Sequence, residues 1–167
     1  GRVGWNVVTS WGTEDALNFG HMSLPDYSLR YDRAAEFVDV VRGLWNSWDA
    51  DAFLRDKASG LFYDPAKLHV LDHKGKYFSV RGPLNVARSP QDEPVIFFAG
   101  DSDPGREIAA RTADVVFTAK QEIEDAKAFY ESVKGRLAKY GRSEDDIIIM
   151  PGIMPVVGRT MEEAQEK

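Results

Sequence analysis

The segment Pro94 to Ala119 constrains the fold most, because it holds two short apolar runs separated by a tight turn and a helix-length stretch. Val95 to Ala99 and Val115 to Phe117 are continuously apolar, which is typical of strands buried on both faces of a parallel sheet. Gly100 ends the first run, and the pair Asp103-Pro104 predicts a helix N-cap followed by the first helical residue. We therefore predict a β-α-β unit whose helix covers one face of the sheet.

The turn inside this unit carries Gly100, Ser102 and Gly105, at the point where the strand ends and the helix begins. Free backbone N–H groups, the positive end of the helix and a serine hydroxyl can together bind a phosphate, and glycine allows its close approach to the backbone. The same residue types are also common in turns that only reverse the chain and cap a helix. The local sequence leaves both alternatives open.

The amino-terminal segment Arg2 to Ser10 has the pattern of a strand and ends in polar residues. Because ligands of parallel α/β proteins bind at the carboxyl ends of strands, Asn6, Thr9 and Ser10 are candidate site residues. The last two are equally consistent with an ordinary strand end. Residues 11–29 lack a clear period, and we predict a loop of the kind that carries function, with one short helix.

A long amphipathic helix is predicted from about Leu29 to Trp48, because apolar residues recur there at three- and four-residue spacing. Arg30 and Tyr31 stand at its start, beside the preceding loop, and can point back toward a ligand at the strand ends. Tyr31 can equally be a packed aromatic residue with a solvated hydroxyl group. The sequence alone does not choose between these roles.

Residues 50–93 are rich in Asp, Lys, Gly and Pro and show no long period, which indicates an insertion between the parallel units. We predict a hairpin in which Lys76 to Val80 pairs with Leu68 to Leu71. His69 and His73 have the i, i+4 spacing of zinc ligands on a helix. A glycine follows at once and no glutamate lies between them, so no metal site is predicted.

The last third of the chain continues the alternation of helices and strands. An amphipathic helix is predicted over Ile123 to Tyr140 with Gly141 as its C-cap, followed by a strand over Ile147 to Ile153 that Pro151 interrupts. Thr160 to Glu163 is a capping box that starts another helix. The order of elements predicts a parallel α/β fold, which is either an arc of a barrel or an open sheet.

Composition excludes several classes of function. The net charge is −6 with acidic residues spread along the helices, so the basic surface of a nucleic-acid-binding protein is not expected. The chain has no cysteine, which excludes a disulfide scaffold and a thiolate metal site. No segment approaches about 18 consecutive apolar residues, so no membrane span is predicted. Because the sequence starts without methionine and stops within a predicted helix, we expect it to be part of a longer protein.

Motifs spread over nearly the whole chain add a more specific signal; they are Gly4-Trp5-Asn6-Val7-Val8-Thr9-Ser10, Asn18-Phe19-Gly20, Arg30-Tyr31, Arg55-Asp56-Lys57-Ala58-Ser59-Gly60, Asp72-His73-Lys74-Gly75-Lys76-Tyr77-Phe78, Ala99-Gly100-Asp101-Ser102 with Gly105-Arg106, and Pro155-Val156-Val157-Gly158-Arg159-Thr160. In this combination the chain resembles the nitrilotriacetate monooxygenase group of the bacterial luciferase-like flavin monooxygenases. The dibenzothiophene-sulfone and long-chain alkane monooxygenases are relatives of that group. The resemblance implies a TIM (β/α)8 barrel. Residues 1–167 would supply about its fourth to seventh strands within a single domain, with an insertion at about 50–93.

The resemblance also implies a two-component enzyme. In such enzymes an NAD(P)H:flavin reductase supplies reduced FMN, which reacts with O2 to give a flavin hydroperoxide that oxygenates a small organic substrate, so the cofactor carries the difficult chemistry. We accordingly expect a cytoplasmic homo-oligomer that binds neither nucleic acid nor membranes. Chelators, sulfur heterocycles and alkanes all remain open as substrates.

Three positions match the flavin-binding pattern that the resemblance implies, namely Ser102, Tyr31 and Tyr27. The family commonly has histidine where this chain has Tyr27. A phenol can still donate to a phosphate or stack near the flavin, but it cannot become a cation near neutral pH. Asn6 and Arg30 are weaker candidates for catalysis, the first for hydrogen-bonding the reacting oxygen and the second for holding an anionic substrate or phosphate. Their ordinary roles would be a strand-end hydrogen bond and a helix-start ion pair.

Two other functions remain as alternatives. A noncatalytic flavin-binding barrel would be consistent with the tyrosine at position 27. An open-sheet ligand-binding domain unrelated to flavin would be consistent with the element order but not with the spread of the motifs.

Overall fold

The computed structural model describes residues 2–167 and contains a four-stranded parallel sheet, a two-stranded antiparallel hairpin and five α-helices. In chain order the elements are β1 Gly4–Val7, α1 Thr13–Asn18, α2 Tyr27–Trp45, β2 His73–Lys74, β3 Ser79–Val80, β4 Val95–Phe98, α3 Asp103–Thr112, β5 Val115–Thr118, α4 Ile123–Lys134, β6 Ile148–Pro151 and α5 Met161–Gln165. Three 3₁₀ helices cover Pro65–Lys67, Leu137–Tyr140 and Glu144–Asp146.

The predicted β-α-β unit is confirmed as β4, α3 and β5, with the two strands parallel and adjacent. The full sheet has the order β1-β4-β5-β6, and every neighbouring pair is parallel. Asp114 fixes the register at the amino-terminal edge, because its carboxylate accepts from the backbone N–H of Ile96 at 2.7 Å and its own N–H donates to the carbonyl of Ile96 at 2.9 Å. Its carbonyl also accepts from the N–H of Ile148 at 2.8 Å, so one residue links three strands.

The helices cover one face of this sheet and leave the other uncovered. Side chains alternate along each strand, so one set enters a core shared with α2, α3 and α4. The core set comprises Val7, Val38, Ile96, Phe98, Ile108, Ala109, Val116, Phe129, Val133, Leu137 and Ile147. The opposite set includes Phe117, Ile148 and Met150, which are all exposed. The carboxyl ends of all four strands meet at one edge, which is where the predicted site residues were expected.

Helix α2 begins at Tyr27 and ends at Trp45, each about two to three residues earlier than the predicted bounds. The helix ends early because the Ser47 hydroxyl donates to the Leu44 carbonyl at 2.7 Å and accepts from the backbone N–H of Leu84 at 2.9 Å, which turns the chain away. The early start places Tyr27 and Tyr31 one helical turn apart on the same face.

Residues 50–93 form the predicted irregular segment, but the predicted hairpin pairing is wrong. The hairpin joins β2 to β3 through a turn closed by the bond from the Gly75 N–H to the Phe78 carbonyl at 2.9 Å. Leu68 and His69 do not take part, because Leu68 bridges to Trp48 and the His69 N–H donates to the Ser47 carbonyl at 2.8 Å. The residues that follow α2 therefore bind Leu68 and His69, which were predicted to pair in the hairpin.

The hairpin is attached to α2 by two carboxylates one turn apart. Glu36 accepts from the backbone N–H groups of Tyr77 and Phe78 at 2.9 and 2.8 Å and pairs with the ring of His73 at 2.9 Å. Asp32 accepts from the Tyr77 hydroxyl and from Lys76, each at 2.7 Å. These contacts fix the hairpin along the helix that carries the two tyrosines.

The last third of the chain follows the predictions with shorter elements. Helix α4 ends at Lys134, and Gly141 has φ +67° after the following 3₁₀ helix, so it caps that helix and not α4 itself. Pro151 is the last residue of β6, which agrees with the predicted interruption. Thr160 caps α5 by accepting from the Glu163 N–H at 3.2 Å. No helix within residues 2–167 has the length and apolar character needed to cross a membrane.

Candidate functional site

The turn between β4 and α3 is tightly packed around its glycines. A Cβ atom on Gly100 would lie 2.4 Å from the ring of Phe98 and 3.0 Å from the Cα atom of Gly105. A Cβ atom on Gly105 would lie 3.0 Å from both the Gly100 Cα atom and the Ser102 hydroxyl oxygen. The two backbones therefore touch, and only glycine at both positions allows this approach.

Ser102 caps helix α3, which corrects the prediction of Asp103. Its hydroxyl oxygen accepts from the Gly105 N–H at 3.2 Å, and Asp103 is the first helical residue. Serine takes this role because its short side chain reaches the N–H group two or three residues ahead. Because its oxygen is the acceptor in the cap, the Ser102 hydroxyl can donate its hydrogen to a ligand or to the neighbouring phenols of Tyr27 and Tyr31.

Backbone N–H groups without a hydrogen-bond partner lie next to this cap. Within residues 2–167, no protein acceptor pairs with the backbone N–H groups of Asp101, Ser102 and Asp103. These groups lie at the amino-terminal end of the ten-residue helix α3, where the helix dipole is positive. Arg106 holds the turn in place, because its Nε donates to the Asp101 carbonyl at 2.9 Å. The turn thus presents several donors and a partial positive charge in a fixed geometry.

The first turn of α2 brings two phenols to the same place. The rings of Tyr27 and Tyr31 lie with centroids 4.7 Å apart. Burial raises the pKa of Tyr31, but interactions with the hydroxyl groups of Ser102, Tyr27 and Thr9 outweigh it, so the pKa lies below its ordinary value. The Ser102 hydroxyl would lower the pKa of Tyr27, yet Tyr31 and burial together raise it above the ordinary value. The three predicted cofactor-binding residues are therefore close enough to influence one another.

Arg30 connects this cluster to the end of β1. Its guanidinium donates to the backbone carbonyls of Thr9, at 3.4 Å, and of Ser10, and it lies 5.4 Å from the centre of the Tyr27 ring. The Nε atom of Arg30 is buried and has no partner among the described residues. Ser10 has φ +59°, a strained conformation for serine that the bond from Arg30 stabilises.

A cleft of about 260 Å³ lies between these elements at the carboxyl ends of β1 and β4. It is lined by Val7, Val8, Thr9, Ser10, Trp11, Tyr27, Arg30, Tyr31, Phe98, Ala99 and Gly100. Trp11 was not singled out from the sequence, although it directly follows the polar end of the strand. Its side chain is almost fully exposed and forms one wall of the cleft.

Asn6 does not belong to this cleft. It lies on β1 between Trp5 and Val7, whose side chains pack into the core, so Asn6 lies on the uncovered face of the sheet. Its pairing partner in the sheet is Phe97 of β4. Of the seven predicted site residues, six therefore come together and Asn6 lies on another face.

A second cleft, of about 240 Å³, opens at the carboxyl ends of β4 and β5 and shares only Ala99 with the first. It is lined by Ala99, Asp101, Phe117, Thr118, Ala119 and Lys120. Burial raises the pKa of Asp101, but hydrogen bonds from Lys120 and Arg106 outweigh it and lower the pKa, so the carboxyl group is ionised. Sequence reasoning missed Lys120, although its place just after a strand end is the same signal that singled out Thr9 and Ser10.

The whole chain matches a family model. Residues 1–167 match the family described as luciferase-like monooxygenase. The chain is 54% identical over its full length to N-acetyl-S-(2-succino)cysteine monooxygenase of Bacillus subtilis (strain 168), and 52% identical to nitrilotriacetate monooxygenase component A of Aminobacter aminovorans. It spans 38% and 37% of the lengths of these two relatives, so it corresponds to somewhat more than a third of each.

The structure is similar to a solved relative as well. The crystal structure of a long-chain alkane monooxygenase superposes with a TM-score of 0.91 at 42% identity, over 99% of this chain and 38% of that one. The identity is high enough for the likeness to extend beyond the general fold, and the match includes the strand ends that form both clefts.

Proposed function

The chain belongs to the luciferase-like monooxygenase family, and from this premise we propose that it forms part of an enzyme that oxygenates a small organic substrate with reduced FMN and O2. Its parallel strands are accordingly an arc of a luciferase-like TIM barrel and not an open sheet. We further propose that residues 50–93 are an insertion into this single domain, since they lie between α2 and β4 and add no strand to the parallel sheet.

The observation that carries the proposal is the convergence of Ser102, Tyr27 and Tyr31 on a glycine-lined helix start. A flavin mononucleotide ends in a phosphate, which needs several donors and a positive potential. The unpaired N–H groups of the turn supply donors, and the amino-terminal end of α3 supplies the potential. The close contact between Gly100 and Gly105 holds these N–H groups in a fixed geometry. The residues present therefore fit this group.

Each residue has a defined part in binding. Ser102 donates its free hydroxyl hydrogen to the phosphate while its oxygen keeps the cap of α3. Tyr31 and Tyr27 donate phenolic hydrogens from the first turn of α2, and Tyr31 also closes the cleft against the core. Neither phenol can become a cation, so binding by them does not depend on a proton being taken up.

Bound flavin would supply the activation of O2 and the delivery of one oxygen atom. The part of this chain is to bind and orient the cofactor and to exclude water from the reacting atoms. Arg30 holds the end of β1 against α2. Asn6 lies on the uncovered face, which becomes the interior of a closed barrel, and in this proposal it hydrogen-bonds a reacting oxygen.

The partner in this proposal is a flavin reductase. One relative is named component A, which supports a system with a second component. Reduced flavin reacts rapidly with O2 in free solution, so an enzyme that receives it from a partner needs a rigid and preformed phosphate site. The fixed turn between β4 and α3 meets that need.

The test is an oxygen-incorporation assay on the protein that carries this sequence. The protein is supplied with NADH, FMN, a flavin reductase and ¹⁸O2, together with a panel of organic acids, organosulfur compounds and alkanes. We expect one ¹⁸O atom in the product of at least one substrate, and no product without the reductase. Tight flavin binding without product across the panel would instead favour the noncatalytic flavin-binding barrel that the tyrosine at position 27 allows.

A further inference from the structure

The second cleft borders the proposed phosphate turn at Asp101 but is not lined by Ser102, Tyr27 or Tyr31. It lies on the side of β4 away from Tyr27 and Tyr31, and its walls come from β4, β5 and the residues that follow them. The part of the cleft that this chain forms has a volume of about 240 Å³.

The charged groups of this cleft form a triad with one excess positive charge. The Lys120 ammonium lies 2.7 Å from one oxygen of Asp101, and the Arg106 guanidinium lies 3.2 Å from the other. Arg106 also donates to the backbone carbonyl of Asp101 and packs against the Phe129 ring, so it stays in place without Lys120. Lys120 can therefore leave Asp101 for another anion, and Asp101 remains paired.

The other walls of the cleft are apolar or weakly polar. The side chain of Phe117 is 46% exposed, because it points away from the core on the uncovered face of the sheet. Ala99 and Ala119 add small side chains, and Thr118 is nearly buried. A cation beside an aromatic ring and small apolar groups matches a short organic molecule that ends in a carboxylate.

We propose that the cleft between the ends of β4 and β5 is the substrate site, and that Lys120 selects an organic acid by exchanging the Asp101 carboxylate for a carboxylate of the substrate. The proposal rests on the proposed oxygenase function only for the statement that the bound acid is the substrate. The names of the relatives do not decide the matter, since two contain carboxylate compounds and one contains an alkane. The placement of Lys120 is what favours the acid.

The two clefts meet at Ala99, which lines both of them. In this proposal Ser102 would hold the flavin phosphate and Lys120 would hold the substrate carboxylate, each just beyond the carboxyl end of a strand. Two fixed anionic ends hold the reacting parts in a defined orientation, and such positioning accounts for a large share of catalysis.

The test measures binding of an organic acid directly, without turnover. N-acetyl-S-(2-succino)cysteine and its fully esterified form are titrated by calorimetry into the wild-type protein, Lys120→Met, Lys120→Arg and the control Lys127→Met. Lys127 is an exposed residue of α4 that pairs with Glu124, so its substitution removes the same charge far from the cleft. FMN and riboflavin affinities are measured on the same samples.

We expect Lys120→Met to weaken binding of the acid about 10- to 100-fold, since an ionic hydrogen bond is lost. Lys120→Arg should restore most of it, and the ester should bind all proteins equally. Equal binding of the acid to wild type and Lys120→Met would overturn the proposal. It would also be overturned if the substitution reduced the preference for FMN over riboflavin, because Lys120 would then serve the phosphate.

The two hypotheses fail in different ways. If the protein does not bind flavin but still binds the acid in a way that depends on Lys120, the oxygenase function is refuted and the acid site is supported. Should Lys120→Met not fold, Lys120→Gln, which keeps a polar head without charge, is measured in its place, with the same outcomes.

Discussion

Ser102 allows the two roles of the turn between β4 and α3 to be separated by substitution. Its oxygen caps α3 through the Gly105 N–H at 3.2 Å, and its hydrogen is free for a phosphate. Ser102→Ala removes both interactions. Ser102→Asp keeps the cap, because aspartate is as good an N-cap as serine, but places a negative charge where the phosphate would bind.

The expected magnitudes differ for stability and for binding. Loss of the cap lowers the free energy of unfolding of Ser102→Ala by about 1 kcal/mol. Loss of the donor weakens FMN binding by about 1 to 3 kcal/mol, which is about 5- to 150-fold in the dissociation constant. Ser102→Asp should unfold like the wild type and bind FMN at least as weakly as Ser102→Ala.

The assay compares FMN with riboflavin, which lacks the phosphate. Dissociation constants come from quenching of flavin fluorescence, and unfolding free energies come from denaturant titrations. We expect the preference for FMN over riboflavin to fall in both variants, while riboflavin affinity stays constant. An unchanged preference for FMN in Ser102→Asp would refute the assignment of the phosphate to this turn.

Three further predictions follow from the packing and charges. Gly100→Ala should destabilise the fold by about 1 to 3 kcal/mol in a denaturant titration, since its Cβ would lie 2.4 Å from the buried Phe98 ring; a stability equal to that of the wild type would contradict the close contact. Hydrogen bonds from Lys139 and Tyr140 lower the pKa of Glu107 from 4.5 to about 2. The ionised Glu107 therefore adds its full contribution to the free energy of unfolding above about pH 4.5, and this contribution is lost as the pH falls toward 2. Glu107→Gln should therefore lower the free energy of unfolding by about 1 kcal/mol at pH 7, a value that allows for the partial exposure of the side chain, and should leave it unchanged near pH 2. A loss of stability that does not depend on pH would count against the ion pairs. A polypeptide limited to residues 1–167 should self-associate in ultracentrifugation, because β1 and β6 have free edges and Phe117, Ile148 and Met150 are exposed; a monomer with a cooperative melt would argue against the barrel arc.

The regular elements of the sheet could be predicted from the sequence because they depend on local patterns. The apolar runs of β4 and β5 and the glycines of the turn identified the β-α-β unit with errors of about one residue. The start of α3 was displaced by one residue, since serine and aspartate are equally good caps and only the hydroxyl contact to Gly105 decides between them. The N-cap preferences of serine and aspartate therefore cannot decide which of two neighbouring residues begins the helix.

The remaining errors come from contacts between distant segments. The hairpin pairing failed because Ser47 and Trp48 bind the segment around His69, and no local pattern encodes that competition. Local patterns indicated Ser102 and Tyr31 as candidate site residues, but Tyr27 was expected only from the resemblance, because its place in the site requires α2 to lie against the end of β4. Lys120 was missed for the same reason, since its partner Asp101 belongs to another strand end.

The most direct test of the account is a crystal structure of the protein with FMN bound. We predict the phosphate at the turn between β4 and α3, with its oxygens about 3 Å from the Ser102 hydroxyl and the Tyr31 hydroxyl. A phosphate bound elsewhere, with the turn facing protein or empty solvent, would contradict the account.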